Sequence, residues 1–533
     1  MKFKNPILRG FHPDPCLCKK GDVYYLATST FEYSPGVKIF SSEDLQNWTH
    51  IASPLDDAIA NLSEVPSSGG IWAPDLSYKA SEDMFYLTYT ITTYFEKYSP
   101  YQGFKDTHNY IIKAKDVTGP WSSPVYVGSK GFDPSLFHDE DGRSYFMCMR
   151  WNYRARSNNF DGIILQEFDT KTNELVGDEK VISKGTELKV TEGPHIYRVG
   201  DYYYLFLAEG GTSYNHSVTV LRSKNVFGPY ERHPDVPFLS QVIDRNGVSK
   251  KIKNPLTHCR KGLQKVGHGS IANIEGAQYL MAFLCSRPDA ESACCPLGRE
   301  TALTTITFKA DGWPYLDDDT ESNLIPSAPS EYSFFDDFDS EKSLKDWDYL
   351  RRNFLMSQKT IIKDSCLYIE GGESPASIHQ HFIGFPVSEY KWEAKTKLIF
   401  MPNDYQQMAG IVLRYNEHNQ YYLAISKDEE GNMVLIVVSI IAKSYDIIAE
   451  EKIFSSEIFL KLSSDGKEIY YFYSYDDEDW MQLNASSSFL LLSDDAIKPI
   501  GFTGSFCGLM ANDMSGSRKA AAFDFFSFKT LKD

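Results

Sequence analysis

One pattern recurs five times within the first 300 residues, and it restricts the possible folds more than any other feature of the sequence. Each copy begins with a polar or acidic residue, continues through a short strand and a turn, and ends in an aromatic strand. The copies read DPCLCKKGDVYYLATS, DLSYKASEDMFYLTYT, DPSLFHDEDGRSYFMCMR, EGPHIYRVGDYYYLFLAEG and HGSIANIEGAQYLMAFL; they begin at Asp14, Asp75, Asp133, Glu192 and His268. A unit repeated at a nearly fixed interval is typical of propellers and solenoids.

Strand periodicity separates these two architectures. Apolar and aromatic residues follow the two-residue period of strands, tight turns join them, and no amphipathic helix pattern lies between the copies. Four-stranded blades around an axis account for this arrangement, so the sequence predicts a five-bladed β-propeller. The alternative is a generic β-rich protein with hairpins that match by chance. Copies that start 61, 58, 59 and 76 residues apart disfavour that alternative.

The second part of the chain has a different pattern. The segment IPSAPS, at 325–330, predicts a linker, and FFDDF at 334–338 opens a series of alternating strands such as YKWEAKTKLIF and AGIVLRYN. The propeller repeat does not recur there. We therefore predict an all-β chain with a propeller at 1–325, a linker at 326–332 and a lectin-like β-sandwich at 333–533.

Charge and composition narrow the class of partner. The 54 basic and 72 acidic residues give a formal net charge of −18, which disfavours nucleic acid and anionic membrane surfaces as partners. No apolar run is long enough to span a membrane, and MKFKNP is not a secretory signal. The nine scattered cysteines lack zinc-ribbon spacing. These features predict a cytoplasmic protein with reduced thiols and a neutral ligand.

Three acidic residues are candidates for catalysis. In a propeller the innermost strands converge, so the first residues of the five copies should lie around one axis, where crowded carboxylates cost stability. Asp14, Asp133 and Glu192 each belong to a proline-containing motif, HPDP, FDPS or EGPH, that fixes the local backbone. Hydrolysis of a glycosidic bond needs a proton donor and a second carboxylate, roughly 6.5–9.5 Å apart when a water must fit between.

Six motifs together resemble one enzyme family. GFHPDP, GGIWAPDLSY, GFDPSLF, TEGPHIY, EGGTSYNHS and PLGRETA occur in this order and with matching spacing along the chain. They resemble glycoside hydrolase family 43, in its two-domain β-xylosidase and α-L-arabinofuranosidase branch, whose second domain is concanavalin A-like. The resemblance implies that Asp14 is the general base, Glu192 the general acid, and Asp133 the residue that orients Glu192 and raises its pKa.

The same resemblance implies a set of substrate-binding residues. They are Phe31, Trp72, Trp151, Thr212, His268, Arg299 and Phe506. Arg299 would bind sugar hydroxyls, and the three aromatic residues of the first domain would form the walls of a sugar pocket. Phe506 lies in GFTGSFCGL, which matches a loop that reaches over the pocket mouth in the family. Such a loop favours removal of terminal sugars over internal cleavage.

No cofactor is expected to be required, although His268 matches a family histidine that lies near a divalent ion such as calcium in some relatives.

Two motifs depart from the family pattern. Here WAPD replaces the commoner WAPH, so Asp75 adds a carboxylate that we expect near the pocket. GHGS replaces the commoner GHAS. The basic segment from Gln241 to Val266 predicts an extended loop without an assigned role.

The predicted activity is inverting, exo-acting release of xylose from β-1,4-xylo-oligosaccharides such as xylobiose, with α-L-arabinofuranosidase side activity. By resemblance, the enzyme forms a dimer or tetramer. Three alternatives stay open. An arabinofuranosidase is the nearest, and a non-catalytic sugar-binding protein is the most distant. Fructan-cleaving propeller hydrolases share the blades and acids, but their Asn-Asp-Pro-Asn-Gly-type opening and Arg-Asp-Pro motif are absent from this sequence.

Overall fold

The computed structural model describes residues 1–95, 103–155, 158–241, 262–497 and 501–532. The chain divides into two compact units. One comprises Met1–Ala293 and Arg299–Ser327, and the other comprises Cys294–Gly298 and Ala328–Asp533. Helices in the described ranges are at most six residues long, and none is long and apolar enough to cross a membrane.

Five antiparallel sheets form the first unit, and we name them blades I to V in chain order. Blade I contains Cys16–Lys20, Val23–Thr28, Lys38–Ser42 and Thr49–Ala52; blade II contains Gly70–Lys79, Met84–Phe95, Lys105–Ala114 and Val125–Gly128; blade III contains Gly131–His138, Ser144–Trp151, Phe160–Asp169 and Glu174–Ser183; blade IV contains Glu192–Val199, Tyr202–Glu209, Ser217–Ser223, Glu231–Arg232 and Leu239–Ser240; blade V contains Gln264–Glu275, Gln278–Ser286, Glu300–Phe308 and Pro314–Leu316. The blades confirm the predicted propeller. A helix at Thr320–Asn323 follows them, and a 3₁₀ turn at Ala80–Glu82 lies within blade II.

Tight hairpins explain why each sequence repeat becomes one blade. In blade I, Lys20 pairs with Val23, so Gly21 and Asp22 alone form the turn, and Gly21 has φ +60°. Blade IV repeats this geometry, since Val199 pairs with Tyr202 and Gly200 has φ +58°. Two-residue hairpin turns require positive φ, which glycine adopts without steric cost. The Gly-bearing turns of the repeat therefore fix the register of the first two strands.

The propeller closes into a ring through both of its ends. The innermost strands contact one another in cyclic order, and the first strand of blade I packs against that of blade V. At the N-terminus, the side chain of Asn5 donates to the carbonyl of Leu303 at 2.7 Å and accepts from its N–H at 2.9 Å. His12 N also donates to the carbonyl of Arg299 at 2.9 Å. The first residues thus hydrogen-bond to the last blade.

A repeated bulge interrupts the innermost strands. The pairing register shifts between Trp72 and Asp75, Phe132 and Ser135, Glu192 and His195, and Gly267 and Ser270. Each shift leaves two residues out of the ladder, and the second is always proline or glycine. In blade I, Asp14 and Pro15 stand immediately before the strand that begins at Cys16. A bulge of this kind redirects side chains and bends the strand.

The bulges define two sets of equivalent residues. The bulge positions are Asp14, Ala73, Asp133, Gly193 and His268; the post-bulge positions, two residues later, are Cys16, Asp75, Ser135, His195 and Ser270. We expected the first residues of the five repeats to occupy equivalent positions in their blades. For two of them this expectation is wrong. Asp75 occupies a post-bulge position, and Glu192 precedes its bulge position by one residue.

Two sheets form the second unit. One contains, in spatial order, Ile362–Lys363, Cys366–Glu370, Ala520–Thr530, Lys391–Ile399, Glu457–Asp465, Glu468–Ser474 and Met481–Ser488, with Ser333–Asp336 also paired to Ala520–Thr530; the other contains Asp348–Leu350, His381–Pro386, Phe506–Asp513, Gln407–Asn416, Asn419–Lys427, Met433–Ile441 and Ser444–Lys452. Short 3₁₀ turns lie at Glu341–Asp346, Phe354–Ser357 and Phe489–Leu491. One apolar core, with Trp392 from the first sheet and Ile411 from the second, joins them. This is the predicted sandwich.

The predicted loop at Gln241–Val266 lies mostly outside the described residues. Its last three residues are not loop, because the innermost strand of blade V already begins at Gln264. Seven of the eight cysteines within the described ranges are buried.

Candidate active site

Three carboxyl groups from three blades lie in one buried site. Asp14 and Asp133 occupy bulge positions with φ +53° and +54°, and Glu192 begins the innermost strand of blade IV. All three side chains are buried. The charges of Asp14 and Asp133 both act on Glu192, so the acids share one electrostatic environment although they are far apart in sequence.

Asp14 has a different partner on each of its oxygens. Ser29 Oγ donates to Oδ2 at 2.6 Å. On the other side, His268 Nδ1 and Arg299 Nη1 each lie 3.7 Å from Oδ1. Burial lowers the pKa of His268 to about 3, so its imidazole is neutral at neutral pH. Arg299 therefore supplies the permanent positive charge beside the carboxylate.

Arg299 is held by its neighbour in the chain. Glu300 accepts from both Nε and Nη2 of Arg287, at 2.8 and 2.7 Å, and from the N–H of Gly10 at 2.8 Å. Bidentate arginine–carboxylate pairs are strong and geometrically specific. This buried pair fixes the backbone from which the Arg299 side chain projects, on the segment that enters the third strand of blade V.

Glu192 and Asp133 form a coupled pair of acids. Burial and then the charges of Asp133 and Asp14 raise the pKa of Glu192 well above its usual value, whereas Arg299 and Lys105 act in the opposite direction. Burial and the charge of Asp14 also raise the pKa of Asp133, while the N–H of Gly193, which donates to its Oδ2 at 3.0 Å, lowers it. A carboxyl group held protonated near neutral pH can serve as a proton donor.

Aromatic rings border the acids, and a lysine lies among them. Lys105 Nζ is 4.5 Å from the ring centroid of Trp151 and 5.5 Å from that of Trp72. Trp72 in turn packs edge-on against Phe132 at 5.0 Å, and Phe31 lies 6.3 Å from Trp72. Apolar ring faces suit the C–H faces of a sugar, and polar groups among them fix its hydroxyls. The site thus combines a proton donor, a second carboxylate and a sugar-sized aromatic wall.

Comparison with known proteins identifies the family. The model of the glycosyl hydrolases family 43 matches residues 3–314, and that of the β-xylosidase C-terminal concanavalin A-like domain matches residues 335–529. The chain belongs to glycoside hydrolase family 43. It is a glycosidase, as the sequence predicted, and the concanavalin A-like type of the sandwich is confirmed.

Relatives extend over the whole chain. The sequence is 38% identical to a β-xylosidase of Bacillus subtilis (strain 168), over 99% of this chain and 100% of the relative. It is 36% identical to xylosidase/arabinosidase 43B of Humicola insolens, over 100% of this chain and 98% of the relative. Among solved structures, xylan β-1,4-xylosidase from Bacillus halodurans C-125 superposes with a TM-score of 0.89 at 36% identity, covering 99% of this chain and 100% of that one.

Most of the predicted family 43 residues of the first unit meet in the site. Phe31 packs under the guanidinium of Arg299, whose Cζ lies 5.2 Å from the ring centroid. Trp151 ends the second strand of blade III, and its Nε1 donates to the carbonyl of Gly103 at 3.1 Å. Thr212 lies half-buried between the second and third strands of blade IV, and its role stays a prediction.

Two predicted residues lie elsewhere. Asp75 does not join the catalytic acids: its post-bulge position turns it towards Cys16 and His195. We expected this carboxylate near the pocket, but its contacts are with Cys16, His195 and the N–H of Leu136 instead. Phe506 belongs to the second unit, where it is buried and begins a strand paired with Pro386 and Arg414. Its predicted role at the pocket mouth stays a prediction.

Sequence reasoning missed Lys105 and Phe132. Phe132 directly precedes Asp133 within the GFDPSLF motif, so that motif could have revealed it. Lys105 stands in FKDTHNY, which contains none of the features that mark the acids, and only the fold brings it beside Glu192.

The surroundings of His268 can be compared with the needs of calcium. Calcium takes six to eight oxygen ligands. Here one carboxylate, that of Asp14, lies 3.7 Å from the His268 ring nitrogen, and the guanidinium of Arg299 opposes a cation. These residues do not fit a protein-ligated calcium ion, and the predicted metal role of His268 remains without support.

Proposed function

We propose that this family 43 enzyme is an inverting, exo-acting xylosidase that releases xylose from the non-reducing ends of β-1,4-xylo-oligosaccharides. The observation that carries the proposal is the charge arrangement of one buried site. Glu192 has a raised pKa beside Asp133, and Asp14 has Arg299 next to it. The names of the relatives, β-xylosidase and xylan β-1,4-xylosidase, support xylose as the sugar.

The geometry supports the following sequence of events. A water molecule loses a proton to the carboxylate of Asp14 as its oxygen attacks the anomeric carbon. The bond from that carbon to the leaving oxygen breaks, and Glu192 gives this oxygen its proton. Asp133 keeps Glu192 protonated until that moment, because a nearby negative charge raises the pKa of a carboxyl group. Transfer of one proton to solvent and return of another restore both groups.

Arabinose is the second sugar that the site can be expected to accept. The Humicola insolens relative is named a xylosidase/arabinosidase, which supports an α-L-arabinofuranosidase side activity in this chain. An enzyme with arabinofuranosidase as its main activity is the alternative. Relative rates on aryl β-D-xylosides and aryl α-L-arabinofuranosides decide between them.

We further propose that hydrolysis needs no cofactor, since the two carboxyl groups supply both proton transfers. Seven of the eight cysteines in the described ranges are buried, which fits reduced thiols and supports the cytoplasm as the compartment. Family resemblance supports a dimer or tetramer, which sedimentation of the purified protein tests. The strongly negative net charge supports a neutral oligosaccharide rather than nucleic acid as the partner.

The roles of the two acids can be separated by the leaving group. A dinitrophenolate leaves without protonation, whereas the alcohol released from xylobiose needs a proton. We expect Glu192→Ala to lose about 10³-fold or more in kcat on xylobiose and far less on a dinitrophenyl xyloside. Asp14→Ala should lose similarly on both substrates, because each needs an activated water. Steady-state kinetics of both variants measures this.

Product stereochemistry provides the second measurement. Proton NMR of the first turnover should show α-xylose, since water attacks opposite to the leaving group. Asp201→Ala, in an exposed turn of blade IV, is the control and should match the wild type. First-formed β-xylose, or equal losses on both substrates for Glu192→Ala, would overturn the mechanism.

A further inference from the structure

The five post-bulge positions differ in what their side chains contact. Two of them hold serines that hydrogen-bond to a neighbouring blade: Ser135 Oγ donates to the carbonyl of Pro194, and Ser270 Oγ donates to that of Pro15 at 2.8 Å. The other three positions hold Cys16, Asp75 and His195, which turn towards one another instead. All three are buried. These side chains do not contact the catalytic acids.

The three donor atoms are close together. Cys16 Sγ and His195 Nδ1 each lie 3.2 Å from Asp75 Oδ1, and all three atoms lie within 4.8 Å of one another. A tetrahedral zinc ion with bonds of about 2.3 Å to sulfur and about 2.0 Å to nitrogen and oxygen separates its ligand atoms by roughly 3.3–3.5 Å. The two short separations match this spacing to within about 0.3 Å.

We propose that Cys16, Asp75 and His195 bind a divalent transition-metal ion of the zinc class. Thiolate, imidazole and carboxylate together are typical zinc ligands, whereas calcium and magnesium prefer oxygen alone. The ion displaces the thiol proton of Cys16, which passes to solvent. The two negative charges of Cys16 and Asp75 then neutralise the +2 charge, while His195 stays neutral, so no net charge is buried.

Neighbouring groups hold two of the ligands in place. The N–H of Leu136 donates to Asp75 Oδ2 at 3.0 Å, which leaves Oδ1 to face the other ligands. The N–H of Leu76 points at Cys16 Sγ from 3.3 Å. A donated N–H stabilises a thiolate more than a thiol, and such outer hydrogen bonds orient metal ligands and strengthen their binding.

A cavity gives access to the site. Its volume is about 330 Å³, and its lining includes Asp75 and His195. Three protein ligands leave the fourth tetrahedral position for a water molecule, which a cavity of this size can admit. His268 separates the cluster from Asp14. Its ring lies 6.1 Å from that of His195, and its Nδ1 lies 3.7 Å from Asp14 Oδ1. The site is thus distinct from the catalytic acids and from the His268 position considered for calcium.

Cobalt(II) provides a direct test, because thiolate ligation of cobalt produces an intense near-ultraviolet charge-transfer band. The intact chain is stripped with a chelator and titrated with cobalt, and bound zinc is measured by mass spectrometry after reloading. We expect the band and about one equivalent of metal per chain in the wild type. Both should be lost in Cys16→Ser, and binding should weaken at least tenfold in Asp75→Asn. Zinc should also raise the unfolding temperature of the wild type.

Cys18→Ser is the matched control. Cys18 is buried two residues further along the same strand, yet it is not among the three clustered donors, so this variant should keep the band and the stoichiometry. A wild type without a thiolate–cobalt band would overturn the proposal whether or not any variant folds. An unchanged band in Cys16→Ser would also overturn it.

Discussion

Two charged neighbours shift the pKa of Glu192 in opposite directions. The charge of Asp133 raises the pKa of Glu192, and that of Lys105 lowers it. Burial lowers the pKa of Lys105 itself to about 8, so this ammonium group also begins to lose its proton in the mildly alkaline range. The protonated fraction of the acid therefore depends on both neighbours, and each can be changed separately.

Removing either neighbour should shift the pH profile in a direction fixed by its charge. The alkaline limb of kcat/KM reports loss of the proton from Glu192 in the free enzyme. Asp133→Asn removes a negative charge and should move that limb to lower pH by about one unit. Lys105→Met removes a positive charge and should move it to higher pH. The rates are measured on an aryl xyloside across the pH range.

Lys115→Met, an exposed lysine of the same blade, is the control and should leave the limb in place. A shift in the same direction for both active-site variants would contradict the assignment of Glu192 as the acid.

The sequence predicted the three acidic residues of the site because each of them lies in a proline-containing motif. It did not reveal Lys105, because a single lysine in a strand carries no local sign of the charge it will face.

Bulges determine which side chains reach the site. They place Asp14, Asp133 and His268 in the left-handed region, where residues other than glycine are uncommon. The sequence predicted the strands and their hairpins well, because alternation and turn glycines are local features. It did not predict the register beyond a bulge, since an unpaired residue breaks the period that the pattern relies on. Asp75 was misplaced for this reason.

Gly193 shows what one bulge contributes. It has φ +55°, and a Cβ there would lie 3.0 Å from His268 Cε1 and 3.2 Å from Ala208 Cβ. Gly193→Ala should therefore cost about 1–2 kcal/mol in backbone strain and reduce kcat about tenfold or more, because Glu192 and His268 must shift. Urea unfolding and steady-state rates measure the two effects.

Gly200→Ala isolates the backbone effect. Gly200 has nearly the same φ, +58°, but nothing lies within 4 Å of its added Cβ. This variant should show a similar stability loss with unchanged kcat. Equal activity in the two alanine variants would mean that crowding at the bulge does not matter for catalysis.

The whole propeller depends on joining its two ends. Asn5 connects the N-terminal segment to blade V and to the chain after it, since its Nδ2 also donates to the carbonyl of Asn323 at 2.8 Å. The repeat predicted five blades, and the cyclic contacts of the blades agree with it. The sequence alone could not predict which residues close the ring, because these pairs are about 300 positions apart.

Asn5→Ala should destabilise this closure. Both backbone groups of Leu303 would lose their buried partner, which costs about 3 kcal/mol in the free energy of unfolding. The urea midpoint of the intact chain measures the loss. Asn47→Ala, the same change at an exposed position, is the control. The free energy of unfolding obtained from its midpoint should change by less than about 0.5 kcal/mol. A shift as small for Asn5→Ala would mean that the N-terminal segment contributes little to closure.

Ring closure also has a consequence during synthesis. The ribosome makes Asp14 among the first residues, but Arg299, which lies beside it, follows nearly 300 residues later. At about 5–20 residues per second, this interval is on the order of tens of seconds. We therefore expect a nascent chain that already carries both Asp14 and Glu192 to stay inactive until Arg299 and the fifth blade have emerged.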